Sequence, residues 1–537
     1  MRNNSERNKG IKSIIQNARR GVLEAQLQLH EFYAEGKYVE QNNEEAEKYL
    51  KLLELSLAGE ALHLKSLSLS NFRRFTNLEI TFDKKITVII GNNGAGKTSI
   101  SEAISKIFSW FNNNLEKEGV NGKPVTHSDI NVATEDYAEI IGKFQLGDRN
   151  IFESALVRTV SGFSGSQSSD VSVIKKFGAM YRKTSASNTV MIPLLAFYSV
   201  ERSFFTLKQE LAEKASGEVL INRFSALKDA LEGGTKLDNF SELYIELTNL
   251  AEGEDSSEAK ELRNQISTLE SFLADEPEDS RLSGENLFLR RLQERKIKLA
   301  NVIGDSSTEK YKRHLSAVNQ AIENLVPDVR NLRVDRSTGK TRLLVEVFGV
   351  ELNITQLSQG QRMLLVLAGD IARRLVTLNP EAATPLSCHG VVVIDEVELH
   401  LHPRWQQEIL AGLQRTFPNL QFIVTTHSPQ VLSTVHRDNI RVLDLNKEGR
   451  IIVSKPLGRT YGEPSGDVLQ GVMLVDPLPP IPEKVELQRL TELVDQGLYD
   501  SAEAKYLMEK MLGILGREHA QILRLQRNIV RHKALKQ

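Results

Sequence analysis

The sequence predicts an α/β chain: a nucleotide-binding core interrupted by a helical insertion and flanked by helices at both ends. Three observations predict it. A glycine-rich turn, GNNGAGKT (Gly91 to Thr98), separates a strand-like apolar run from an amphipathic helical pattern. A second apolar run ends in paired acids at VVVIDE (Val391 to Glu396). Between these two lies a charged, helical stretch from about residue 205 to 325.

The chain has 537 residues, room for roughly two to four domains. Lysine plus arginine (68) nearly balances aspartate plus glutamate (70), so no global basic charge marks a nucleic-acid binder. Cys388 is the only cysteine, which excludes an intrachain disulfide and a cysteine-built zinc site. MRNNSERNKG lacks the apolar core of a signal peptide, and no run reaches the roughly 18 apolar residues of a membrane span. A cytoplasmic chain with no membrane partner is expected.

Residues 1–62 read as a helical hairpin. Ala25, Leu29, Phe32 and Tyr33 share one helical face; Gly36 breaks the pattern; Ala46, Tyr49, Leu50 and Leu53 form a second face. The hairpin resembles a single Sel1/TPR-like repeat, which implies that it caps another domain or a partner, since one repeat cannot bury its own apolar face. A plain structural hairpin is the alternative. Residues 63–204 open the α/β domain: LKSLSLSNFRRF alternates with one offset at Leu64, LEITFDKKITVII supplies two more strands, and the helix after the glycine turn gathers Ile100, Ile104, Ile107, Phe108 and Phe111 on one face. SGFSGSQSSD (161–170) reads as a polar Gly/Ser linker or mobile loop.

In 205–325, LFLRRLQERKIKLANVI is expected to pair with an earlier helix as a short arm, between acidic breaks at AEGEDSSE and LADEPEDS. Residues 326–462 return to strands, in TRLLVEVFGVELNI, GVVVID and LQFIVTTH. After PLPPIPEK the chain ends in helices with a basic tail, RNIVRHKALK, so 463–537 is expected to form a helical partner-docking region.

GNNGAGKT fits G-x-x-x-x-G-K-[ST]. Backbone N–H groups of Gly91, Asn92, Asn93, Gly94, Ala95 and Gly96 are expected to curve around phosphate, continuing through Lys97, Thr98 and Ser99 into the positive end of the helix. Lys97 is expected to neutralise the β/γ-phosphates and Thr98 to ligate Mg2+. LSQGQ (Leu357 to Gln361) places Ser358, Gly360 and Gln361 at another helix start. Taken alone it is an ordinary helix cap; its place about 35 residues before VVVIDE makes it specific. Asp395 is positioned to hold Mg2+, Glu396 to act as general base, and His427 ends the strand FIVTTH.

These motifs, in this order, resemble ABC-type ATPases, with Gln359 where their LSGGQ signature has its first glycine. The resemblance implies ATP sandwiched between the heads of a homodimer, each signature completing the other chain's site, with His427 as the switch histidine against the γ-phosphate. NFRRF resembles the opening of the SMC/RecF/OLD-like group, where an arginine approaches nucleotide; Arg73 and Arg74 are the candidates. DEVELHLHPRWQ resembles the DEPExHLHP block of OLD-type and defence-associated ATPases, with Val397 replacing proline. About 110 residues follow His427, without the paired acids of a nuclease domain.

The overall pattern, including RTYGEPSGDVLQGVM, is similar to the PtuA ATPases of Septu-type anti-phage systems, and the N-terminal hairpin to their retron-associated form. That resemblance implies an ATPase that controls a separate HNH nuclease, PtuB, in a homodimer or higher oligomer. In the retron form, it also implies a reverse transcriptase with its multicopy single-stranded DNA. Two rival readings stand beside it: a DNA-repair ATPase of the SMC/RecF type that binds DNA directly, and a metal-dependent nuclease site at Glu398, His400 and His402.

Overall fold

The short, unbroken apolar runs become the inner strands of a mainly parallel sheet, as expected where both faces of a strand are covered. The structure, a computed structural model, describes residues 2–148, 150–163, 165–203, 222–234, 237–252, 257–274, 287–303, 306–337, 341–476 and 480–535. Within it β3 (Ile86–Gly91), β6 (Leu194–Tyr198), β10 (Gly390–Ile394), β11 (Leu420–Thr425), β12 (Ile440–Leu445) and β13 (Ile451–Ser454) form one sheet in the order β13-β12-β3-β11-β10-β6. All neighbours run parallel except β12 and β13. Every residue of β6, β10 and β11 is buried. The glycine turn after β3, the acids after β10 and His427 after β11 therefore leave the sheet at one edge, the carboxyl edge where α/β sheets hold ligands.

A second, antiparallel sheet runs β2-β1-β4-β5, from β1 (Leu62–Phe72), β2 (Phe75–Thr81), β4 (Tyr137–Leu146) and β5 (Asn150–Thr159). The offset at Leu64 is a register shift between Leu64 and Ser66 in the pairing of β1 with β4. Such a bulge moves the following side chains to the other face, which is why the apolar alternation slips there. The 161–170 segment folds back on β5: Val157 N–H donates to Ser169 Oγ and Ala155 N–H to Asp170 O. Part of it is thus held against a strand rather than spanning as a linker, Ser164 lying outside the described residues.

The helix after the glycine turn, α4 (Lys97–Glu116), buries Ile100, Ile104, Ile107, Phe108 and Phe111 as its periodicity predicts. The helix Gln359–Leu378 is buried on nearly all sides. Two helices of the 205–325 stretch belong to its surroundings. Phe240, on the helix Leu237–Ala251, fills the space beside Gly369, and Tyr244 donates to Leu332 O on β7 (Val329–Asp335) at 2.7 Å. The helix Ser306–Leu325 also buries Val318, Ala321 and Ile322. Among the described residues of this stretch, Ser257–Ala274 and Leu287–Ile303 share a small core of their own around Ile266 and Leu292. The acidic break LADEPEDS falls almost wholly, and AEGEDSSE partly, outside the described residues.

The N-terminal helices are three where two were expected: α1 (Arg2–Arg19) precedes α2 (Leu23–Glu35) and α3 (Asn43–Leu57). Ala18 of α1 joins Ala25, Leu29 and Tyr49 in one core, and Gln26 Nε2 donates to Ala18 O at 3.1 Å. Gly36 ends α2 in the left-handed region, and Asn42 caps α3 through the amides of Glu44 and Glu45. Cα packing divides the chain into two units, 1–462 and 463–537. The second is a helical unit with its own core, in which Leu490, Val494, Met511 and Ile522 are buried. No described helix is long and apolar enough to cross a membrane.

Candidate active site

The glycine turn is shaped by positive φ at Gly94 (77°) and Gly96 (94°). Gly96 is also the N-cap of α4 and brings no side-chain cap, so no capping side chain competes with an anion for the first-turn amides. Lys97 is buried and its Nζ donates to Gly91 O (2.9 Å) and Asn92 O (3.3 Å), which folds it over the turn. Burial lowers its pKa, opposed by the carboxylates of Asp395, Glu396 and Glu398. A helix start without a side-chain cap and a lysine folded over the turn by two carbonyls together suit a polyphosphate.

Asp395 is completely buried just past β10. Thr98 Oγ1 donates to its Oδ2 at 2.7 Å, and Thr425 Oγ1 to its Oδ1. The two residues expected to share Mg2+ are thus in direct contact across 297 positions of sequence. Glu396 follows in the left-handed region (φ 48°), rare for a residue with a side chain. Its N–H donates to Thr425 Oγ1 at 2.8 Å. Arg202, on the turn Val200–Ser203 after β6, donates to the carbonyls of Asp395 (2.5 Å) and Glu396 (2.6 Å). Burial lowers this guanidinium to about 10, opposed by Asp395, Glu398 and Glu396, so it stays charged at neutral pH.

His427 is placed at the end of β11, and its N–H donates to Glu398 Oε1 at 2.5 Å. Partial burial, then Lys97, lowers its pKa against the pull of the three carboxylates, which favours a neutral ring. Glu398 Oε2 is buried and bonds to no described residue. His402 caps the helix Pro403–Thr416, its Nδ1 accepting from Arg404 N–H at 3.3 Å, and its ring meets Trp405 edge-on. The third sequence reading therefore finds Glu398 and His402 engaged elsewhere. Among the described residues no group of three or more His, Cys, Asp or Glu is placed to hold a metal.

Ser358 caps the helix Gln359–Leu378 and forms a capping box with Gln361. Gly360 lets this helix start press on the segment after the acids, for a Cβ there would lie 2.7 Å from His400 O. The two arginine candidates differ. Arg73 is tied to Glu102 and to Asp129, with Nη1 3.4 Å from Ser99 Oγ. Arg74 is exposed and its Nη1 stands 3.3 Å from the Cβ position of Gly94, against the loop itself. Sequence reasoning missed Arg202 and Thr425, and had Glu398 only as a ligand of the rival metal site. Thr425 and Glu398 sit inside quoted motifs, whereas nothing in the run LLAFYSVERS marks Arg202.

The AAA ATPase domain family matches residues 63–432, most of the chain. The retron Vc95 probable ATPase of Vibrio cholerae serotype O1 biovar El Tor is 31% identical over 471 residues, covering 86% of this chain and 88% of that one. The retron Ec83 probable ATPase of Escherichia coli is 32% identical, covering 93% and 92%. The Septu protein PtuA of Bacillus thuringiensis is 19% identical, covering 77% and 85%. A phosphate loop, paired acids and a helix-capping signature on such a sheet define a P-loop ATPase, and the chain belongs to the AAA ATPase domain family. Within it the chain is one of the PtuA-like ATPases of the retron type.

Proposed function

We propose that this ATPase is the nucleotide-driven subunit of an anti-phage defence complex, in which two heads close over ATP and Mg2+ and thereby control a separate HNH nuclease, PtuB. The observation that carries the site is the cluster of Thr98, Asp395, Thr425 and Glu396 at one sheet edge beside Lys97. The relatives named for retrons and Septu support the setting. A retron reverse transcriptase with its multicopy single-stranded DNA is the proposed restraint, the 463–537 unit the proposed nuclease dock, and the N-terminal helices a Sel1/TPR-like cap. The cytoplasm is the proposed compartment.

In this reading the loop amides from Gly91 to Ser99 and Lys97 bind the polyphosphate, with Arg74 in preference to Arg73 reaching it from outside. Thr98 and Asp395 hold the cation, which supplies charge neutralisation at the phosphates. Glu396 takes the proton of the attacking water, and neutral His427 orients toward the terminal phosphate. Ser358, Gly360 and Gln361 present their helix start to the other chain's nucleotide. Glu396→Gln is expected to lower ATP turnover by about 100-fold or more while binding of a fluorescent ATP analogue persists. Turnover at the parent rate would overturn the base assignment.

A further inference from the structure

We infer that Arg202 is a positioning residue for hydrolysis, its guanidinium fixing the main chain of the Asp395–Glu396 turn so that the Glu396 carboxylate is held in place. This rests on the reading of Glu396 as general base.

The geometry is that of a clamp. β6 runs beside β10 with Tyr198 opposite Ile394, and Asp395 N–H extends the pairing by donating to Tyr198 O at 2.8 Å. The next residues of β6's exit turn bring Arg202 under the acids, where it is 3% exposed. Nη1 donates to Ser199 O (2.8 Å) and Asp395 O (2.5 Å), and Nη2 to Glu396 O (2.6 Å). On the other side of the same residue, Glu396 N–H is held by Thr425. Both peptide groups of a residue in a rare left-handed conformation are therefore fixed, one from β11 and the other from the turn after β6.

The choice of acceptors matters. Arg202 bonds carbonyl oxygens, so it takes no lone pair from the carboxylates of Asp395 and Glu396. Its buried positive charge still offsets the three acids around it. A lysine would carry that charge without the planar fork that reaches carbonyls in two directions.

The test is steady-state ATP turnover by the full chain carrying Arg202→Lys or Arg202→Met, each alone and combined with Glu396→Gln. Trinitrophenyl-ATP binding and thermal unfolding are followed in parallel. Arg202→Lys is expected to lower kcat at least about tenfold, with KM and probe affinity within about threefold of the parent, because orientation and not binding is lost. In the Glu396→Gln background either substitution is expected to cost nothing further. Parent-like kcat in folded Arg202→Lys would overturn the proposal, as would a kcat loss that persists undiminished beside Glu396→Gln. If Arg202→Met does not fold, Arg202→Lys decides alone. Parent-rate turnover by Glu396→Gln by itself would instead remove the base reading on which the proposal rests.

Discussion

Gly96 shows how narrowly a phosphate loop constrains one residue. Its φ of 94° is unfavourable for any side chain, and an added Cβ would lie 2.4 Å from the Phe75 ring. Gly96→Ala is expected to weaken ATP-analogue binding by about tenfold or more, roughly 1.4 kcal/mol, in a fluorescence titration. His389 makes a different prediction. It is buried, its Nδ1 accepts Leu62 N–H at 3.2 Å, and burial pulls its pKa down to about 4. The folded value lies below the unfolded one near 6.5, so the fold binds fewer protons than the unfolded chain. The neutral ring's contribution is complete above pH 6.5 and is lost as pH falls toward 4, by about 3 kcal/mol. Urea unfolding at both pH values should show that extra loss in the parent and not in His389→Asn.

At the scale of elements, the signature helix carries two roles at one residue. Ser358 closes a capping box with Gln361 inside its own chain, worth about 1 kcal/mol to the fold. If the same helix start also faces the other chain's nucleotide, Ser358→Ala should cost more than stability. Sedimentation velocity in a Glu396→Gln background is expected to show less ATP-dependent dimer, with nucleotide binding by the single chain preserved. The antiparallel pair β4 and β5 marks the limit of reading elements from sequence. Its alternating burial was present in YAEIIGKFQL, yet without a glycine motif or a charged end no chemistry drew attention to it. The arm stretch shows the opposite: its helical period was plain, but period alone does not say which helices pack on Gln359–Leu378 and which pack on each other.

At the scale of the whole molecule, the chain divides after Gly462, and the 463–537 unit buries its own core. A chain ending at residue 462 is therefore expected to fold and hydrolyse ATP, since every proposed site residue lies before that point. It should fail to co-purify the HNH nuclease; nuclease retained on the shortened chain would sink the docking proposal.

What the sequence by itself determined was the α/β class, the order of the motifs and the ATPase class they point to. Phosphate loop, signature and paired acids each sit on a local strand–turn–helix signal, which a few adjacent residues are enough to specify. Only the tertiary structure decided that Thr98 meets Asp395, that Thr425 holds Asp395 and Glu396, and that Arg74 rather than Arg73 leans on the loop. It alone brought Arg202 to Glu396 across 194 positions. The physical reason is that strand order in a parallel sheet is set by non-local packing, so residues at neighbouring strand ends become partners without any pattern joining them in the chain.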